Sequence, residues 1–419
     1  MSERRHFTLT VPGSKSVTQR ALVASALADG TSRLFYPLDS EDTRLLRDAL
    51  RAMGVLIDEG DEYWTVHGCA GRLEPPDGEI FMGNNGTGIR FMVSVAALAS
   101  GKTVLSGTER MSERPVAPLL DALRGWGVEC KDVNGNGCPP VMISGGGISG
   151  GETSIAAQKS SQFLSSMLLV APYAKSPAVV VLDGALVSRP YVDITLAVMR
   201  DFGVPVEEKE GSFFIPSSVY RGTDYMVEGD ASSASYFWAA AAVTGESVTV
   251  ANIPSEPLQG DARFADILGR MGCKVDRGDD GVTVSGPGAG GLHGIEIDME
   301  KWPDVVPTLA AVAVFAKGRT VIKNVPHLRI KETDRISAMA TELSRVGASV
   351  RELEDGLVIE GGGSLHGADI ETYDDHRIAM SMAVVSLLTD GINILDPDCV
   401  KKSFPDFWLR WDEMKGHIL

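Results

Sequence analysis

The sequence predicts an α/β protein of six β-α-β-α-β-β repeats, three in each of two domains, with helices buried inside and sheets outside. It is an inside-out α/β barrel arrangement. Three observations predict it. A glycine closing a helix-like segment recurs at Gly54, Gly127, Gly203, Gly272 and Gly347, at intervals of 73, 76, 69 and 75 residues, and a sixth is expected near Gly416. A second marker runs in parallel: an Ala-rich apolar stretch ends at Gly30, Gly101, Gly245, Gly318 and Gly391, with Ser176 in the third slot. Units of about 70 residues at a fixed period set the fold before any finer reading. Finally, the first helix of each unit is apolar all round, as in residues 93–99, 163–170, 236–243, 309–316 and 378–388. A helix apolar on every side is a buried helix, whereas a doubly wound sheet keeps its helices outside.

The elements of one unit follow in order from residues 10–80. Residues 16–28 are apolar at helical spacing and stop at Asp29-Gly30. Residues 31–36 read as a strand. Ser40-Glu41-Asp42 caps a second helix over residues 43–53, and Gly54 ends it. Val55-Leu56-Ile57 and Tyr63-Trp64-Thr65-Val66 then form two strands around Asp58-Glu59-Gly60-Asp61. Alternating strands and helices imply a layered α/β domain.

A length of 419 residues allows two or three domains, and six equal units favour two of three. The net charge of −17 argues against nucleic acid, whose phosphates require a basic surface, yet local Lys and Arg can still make an anion-binding cleft. The five cysteines form no zinc or disulfide framework and read as reduced thiols. Residues 305–316, the longest apolar run, are too short to span a bilayer. No apolar signal core follows Met1, so a cytoplasmic protein is expected.

The polar residues of interest fall at one place in the repeat, the start of the buried helix. They are Gly13-Ser14-Lys15-Ser16 with Arg20; Gly83-Asn84-Asn85-Gly86-Thr87-Gly88 with Arg90; Gln158-Lys159-Ser160-Ser161-Gln162; Gly229-Asp230-Ala231-Ser232-Ser233; Trp302-Pro303-Asp304; and Tyr373-Asp374-Asp375-His376-Arg377. Buried helix starts expose N–H groups and the positive dipole end, so several together make an anion site. Each alone reads equally as a cap. The same double reading applies to Lys331-Glu332-Thr333-Asp334-Arg335, to Arg110 and Arg114, to Lys401-Lys402-Ser403 and to Ser188-Arg189-Pro190.

Taken together, nine segments resemble the 5-enolpyruvylshikimate-3-phosphate synthase family of enolpyruvyl transferases. They are Pro12-Gly13-Ser14-Lys15-Ser16, Gly83-Asn84-Asn85-Gly86-Thr87, Arg110-Met111-Ser112-Glu113-Arg114-Pro115, Ser160-Ser161-Gln162-Phe163, Ser188-Arg189-Pro190-Tyr191, Gly229-Asp230-Ala231-Ser232-Ser233-Ala234, Arg329-Ile330-Lys331-Glu332-Thr333-Asp334-Arg335, Asp375-His376-Arg377 and Lys402-Ser403-Phe404-Pro405. The resemblance implies a first domain over residues 14–229 and a second over 1–13 with 230–419, with the active site between them. It implies transfer of the enolpyruvyl group of phosphoenolpyruvate to the 5-hydroxyl of shikimate 3-phosphate, with release of phosphate. Asp304 would be the base and Glu332 the acid, assisted by Lys15. Lys15, Ser16, Arg20, Ser160, Ser161, Gln162, Ser188, Asp304 and Lys331 would bind shikimate 3-phosphate. Lys15, Asn84, Gly86, Arg114, Gln162, Arg335, Arg377 and Lys402 would bind phosphoenolpyruvate, with Arg335 and Arg377 on its carboxylate. No metal, no organic cofactor, no nucleic acid and no membrane are implied, and a monomer is expected.

Two positions depart from the family pattern: His327 stands near where some members carry Asn, and Asn85 stands where Ala is common. The resemblance also implies inhibition by glyphosate at the phosphoenolpyruvate subsite, with Gly86→Ala expected to weaken the inhibitor far more than the substrate. Two rival readings are the related transferase that uses UDP-N-acetylglucosamine and a non-catalytic binding scaffold. The first relies on a loop Cys, and residues 107–115 contain none.

Overall fold

The structure, a computed structural model, describes residues 4–288 and 290–419. The chain forms two compact units: Gly13–Val227, and the N-terminal segment to Pro12 combined with Glu228–Leu419.

Gly13–Val227 holds three core helices, Lys15–Leu27, Gly86–Val95 and Ser161–Val170. They pack on one another. In the first, every residue from Val17 to Leu27 is buried, as its all-round apolar sequence requires. Three four-stranded sheets cover them. In one, Ile80–Phe81 runs parallel to Gly101–Ser106, on which Val141–Gly145 and then Glu129–Asp132 pair antiparallel. The core helix links the two parallel strands. A second helix, Ala117–Gly125, leads into the antiparallel pair; its counterpart Glu41–Ala52, between Asp29–Phe35 and Leu56–Glu59, turns Leu46, Ala49 and Leu50 inward and Arg44 outward.

The other unit repeats the plan with core helices Ala231–Thr244, Val306–Ala313 and His376–Ser386 under two four-stranded sheets and a two-stranded one. The expected arrangement of buried helices and outer sheets holds in both units. Among the helix-ending glycines, Gly54, Gly127, Gly203, Gly272 and Gly347 all have φ between +80° and +112°, the left-handed turn that glycine adopts without a Cβ penalty.

Two features break the simple β-α-β-α-β-β order of the units. The strand ahead of the first core helix, His6–Leu9, does not join the sheet of Asp29–Phe35; it pairs parallel with Ser247–Val250. Its place beside Asp29–Phe35 is taken by Asp224–Met226, from the other end of that unit. Asn252 fixes the N-terminal segment by bonding both backbone groups of Val11, at 3.0 and 2.6 Å. The sixth repeat also lacks its closing hairpin. Asp369–Ile370 pairs with Asn393–Ile394, and helix Phe407–Ile418 follows. Gly416 lies inside that helix and does not end it, and Phe407 and Trp411 of the same helix pack on Phe237 and Phe404.

Candidate active site

Five of the six core helix starts carry a polar side-chain cap, and the caps differ between the units. In Gly13–Val227 they are neutral: Ser14 accepts from Val17 N, Asn85 from Gly88 N and Ser160 from Gln162 N. In the other unit they are acidic: Asp230 accepts from Ser233 N and Asp375 from Arg377 N, while Asp304 lies in the turn Pro303–Val305 before the fifth core helix. Neutral caps leave the positive helix end available to an anion; acidic caps place carboxylates there.

The first cluster gathers cations and amides. Lys15 Nζ meets Asp42 Oδ2 at 2.9 Å. Arg114 Nη1 donates to both the backbone oxygen and Oδ1 of Asn84 at 2.9 Å, and its guanidinium lies over Gly86, where a Cβ would be 2.2 Å from Nη2. Gln162 donates to Thr87 Oγ1 at 2.9 Å and accepts from Arg90 Nη1 at 2.5 Å, tying the second and third core helices together at their starts. Arg90 also donates to Pro115 O, which fixes the loop bearing Arg114, and stacks on Phe163. Ser161 and Ser188 are buried, and Ser188 opens its helix in a left-handed conformation with φ 53°.

Arg20 is placed differently. It is 1% exposed, stacks on Phe91, and donates to Thr195 Oγ1, Ser16 O, Ser165 Oγ and Tyr191 O. Burial pushes its guanidinium down to about 10. These contacts make it the brace between the first and third core helices and helix Arg189–Asp201.

The second cluster gathers carboxylates around two guanidinium groups. Arg335 donates to Asp375 Oδ2 at 2.7 Å, Glu332 Oε2 at 2.8 Å and Asp304 Oδ1 at 3.1 Å. Arg377 donates to Asp304 Oδ2 at 2.9 Å, and Lys331 Nζ is 3.9 Å from Asp304. Burial alone would raise the Asp304 carboxyl, but Arg377, Lys331 and Arg335 together hold it well below the usual carboxylate range. Burial works against the charge of Arg335 too, yet Asp375, Glu332 and Asp304 hold it above its ordinary value. Burial and the neighbouring Lys331 push His327 down to about 4, so it is neutral near pH 7. Lys402 is buried in the same unit.

Several partners had no role in the sequence reading: Asp42, Arg90, Asp375 and Asp261. Asp261 accepts from Ser232 Oγ, and burial, then the Asp304 charge, push it up to about 6. Asp375 caps the helix that follows it in Asp375-His376-Arg377, and that cap position is the signal that marks it. Asp42 and Arg90 were visible only as parts of a helix start. Among the described residues, no group of three or more His, Cys, Asp or Glu could hold a metal ion, and no helix is long and apolar enough to cross a membrane.

A family model for EPSP synthase (3-phosphoshikimate 1-carboxyvinyltransferase) matches residues 3–411. The chain is 48% identical over 400 residues to the 3-phosphoshikimate 1-carboxyvinyltransferase of Methanothermobacter thermautotrophicus, covering 96% of this chain and 94% of that protein. It is 44% identical over 407 residues to that of Erwinia tasmaniensis, with the same coverage. Of solved structures, EPSP synthase from Acinetobacter baumannii superposes with a TM-score of 0.80 at 30% identity, covering 99% of this chain and 96% of that one. An enolpyruvyl transferase from Streptomyces tendae shares the fold, with a TM-score of 0.77 at 19% identity.

Proposed function

The chain belongs to the EPSP synthase family, and from that membership we propose how its two clusters divide one reaction. It transfers the enolpyruvyl group of phosphoenolpyruvate to the 5-hydroxyl of shikimate 3-phosphate and releases phosphate, in the shikimate pathway to aromatic amino acids. The hydroxyl oxygen adds to C2 of the alkene while C3 takes a proton. The tetrahedral adduct then loses a C3 proton as the C2–O bond to phosphate breaks.

The first cluster is read as the phosphate cradle. Lys15, Arg114 and Gln162 take the phosphoenolpyruvate phosphate beside Asn84 and Gly86, at a helix start with no acidic cap. Ser16, Ser160, Ser161 and Ser188 offer hydroxyls to shikimate 3-phosphate. Arg20, braced on the protein side by Thr195, Ser16 and Tyr191, offers its guanidinium to shikimate 3-phosphate with them.

The second cluster is read as the acid–base centre, with Lys331 toward shikimate 3-phosphate and Lys402 toward the phosphoenolpyruvate phosphate. The observation that carries this reading is the shared pairing of Asp304 and Glu332 with Arg335 and Arg377. An ionised Asp304 is the form a base requires, but two guanidinium groups make it a weak one. A substrate carboxylate matches the guanidinium fork and competes for it. When it takes Arg335 and Arg377, Asp304 becomes more basic and Glu332 loses the contact that favours its charged form, which suits it to give a proton to C3. Binding thereby switches the pair on.

The protein is read as cytoplasmic, in a reducing compartment where its five free thiols persist. Phosphate release from phosphoenolpyruvate, dependent on shikimate 3-phosphate, is the test. Release that responds only to UDP-N-acetylglucosamine, or none with either acceptor, overturns the assignment.

A further inference from the structure

We infer that Asn85, acting through Asp42, is a positioning residue for Lys15; the inference rests on the reading of Lys15 given above.

Asn85 is fully buried and uses its amide three ways. Oδ1 accepts from Gly88 N at 2.7 Å, capping the second core helix. Nδ2 donates to the backbone oxygen of Asp42 at 2.6 Å and to Gln19 Oε1 at 3.1 Å. Asp42 opens the amphipathic helix, and its carboxylate takes Lys15 Nζ. Gln19 lies one turn along the first core helix from Lys15. One amide therefore ties together the element that carries Lys15, the element that holds the Lys15 ammonium, and the helix start that would face the phosphate.

The sequence makes room for this. Gly88 has no Cβ; one built there would lie 2.3 Å from Asn85 Nδ2 and 2.7 Å from Cγ. Asn85 and Gly88 are a matched pair. An Ala at position 85 would supply neither the cap nor the cross-link. A Ser would supply the cap oxygen alone, since its hydroxyl is too short to reach Asp42 O while capping Gly88 N.

A buried amide satisfied on all sides resists displacement, because freeing either partner strands a buried polar group. What it positions is a flexible cation: Lys has a compact charge on a long stem, so its location depends on what anchors it. Displacing such a contact by about 1 Å is enough to cost up to roughly a hundredfold in rate.

The test is steady-state phosphate release with phosphoenolpyruvate varied, for Asn85→Ala, Asn85→Ser, Asp42→Asn, the double variant Asn85→Ala with Asp42→Asn, and Lys15→Met. Asn85→Ala is expected to lower kcat/KM for phosphoenolpyruvate by about tenfold or more, chiefly through KM. Asn85→Ser should fail to rescue it. Asp42→Asn should produce a similar loss, and the double variant should fall well short of the product of the two. Gly88→Ala, which displaces the amide without removing it, should behave like Asn85→Ala. A loss confined to kcat with KM unchanged, as from a smaller folded fraction, overturns the inference. So does full rescue by Ser, or a double variant whose losses multiply. A crippled Lys15→Met beside wild-type kinetics in Asn85→Ala sinks the inference alone. A fully active Lys15→Met sinks the reading of Lys15 and the inference with it.

Discussion

Gly86→Ala introduces one methyl group at the first residue of the second core helix. The backbone there is helical, so alanine is tolerated and helix propensity favours it. The obstacle is a side chain. The new Cβ would lie 2.2 Å from Arg114 Nη2 and 2.5 Å from Cζ. Ordinary contact begins near 3.5 Å, so the guanidinium must retreat by roughly 1.3 Å. Arg114 is buried and its Nη1 spans two oxygens of Asn84 at 2.9 Å, so a retreat of that size breaks both bonds. Charge-assisted bonds contribute about 1.5–3 kcal/mol each, and partial replacement leaves a net cost on the order of 3 kcal/mol. Because Arg114 is assigned to the phosphoenolpyruvate phosphate, the cost is expected in binding and orientation of that substrate. A displacement of this size corresponds to a loss of up to roughly a hundredfold in kcat/KM. Phosphate release measured against both substrates checks it: KM for phosphoenolpyruvate should rise strongly and KM for shikimate 3-phosphate little, while the thermal midpoint should fall, because the broken bonds belong to the folded protein. Glyphosate should weaken as well. Here the structure revises the sequence expectation that the methyl group would meet only the inhibitor, because Arg114 occupies the space first. Unchanged KM for phosphoenolpyruvate in Gly86→Ala would refute both the Arg114 assignment and the steric argument.

Asp304→Asn and Glu332→Gln should each lower turnover by about 10²–10⁴ with substrate binding largely retained, measurable by turnover and by calorimetric titration of shikimate 3-phosphate. Asp261 titrates near 6 when folded, above the ordinary carboxylate value, so its stabilising contribution is complete below about pH 4 and is lost as pH rises through 6. Asp261→Asn, which stays neutral, should therefore raise the thermal midpoint relative to wild type more at pH 7.5 than at pH 4.5; the opposite ordering would contradict the buried, charge-crowded site. Gly203 has φ +88° after its helix, so Gly203→Ala should destabilise by about 1 kcal/mol without changing KM. Gly416 lies inside a helix with open space around a built Cβ, so Gly416→Ala should stabilise by about 0.5–1 kcal/mol. Chemical unfolding of both variants reads the opposite signs.

The sequence alone determined the number of units, the identity of the buried helices and the polar residues at their starts. Those properties are local. An all-round apolar helix, a left-handed glycine such as Gly54 and a cap such as Ser160 are each specified within a few turns of chain, and a fixed period repeats them. Lys15, Arg114, Gln162, Asp304, Glu332, Arg335 and Arg377 were legible because they stand at those helix starts or at quoted motifs. Tertiary structure decided what pairs with what. No local pattern says that Asp224–Met226 sits beside Arg33–Phe35, or that His6–Leu9 joins a strand 241 residues away, because parallel pairing carries no turn to set its register. The last repeat kept the period in its sequence but ends in a helix in place of a hairpin, and Phe407 and Trp411 of that helix pack on Phe237 and Phe404, rings distant in sequence or lying beyond the periodic segment. Asn85 read as a misfit in its loop. It proved to be a cross-link because its partners, Asp42 and Gln19, lie 43 and 66 residues away and meet it only once three helices have packed.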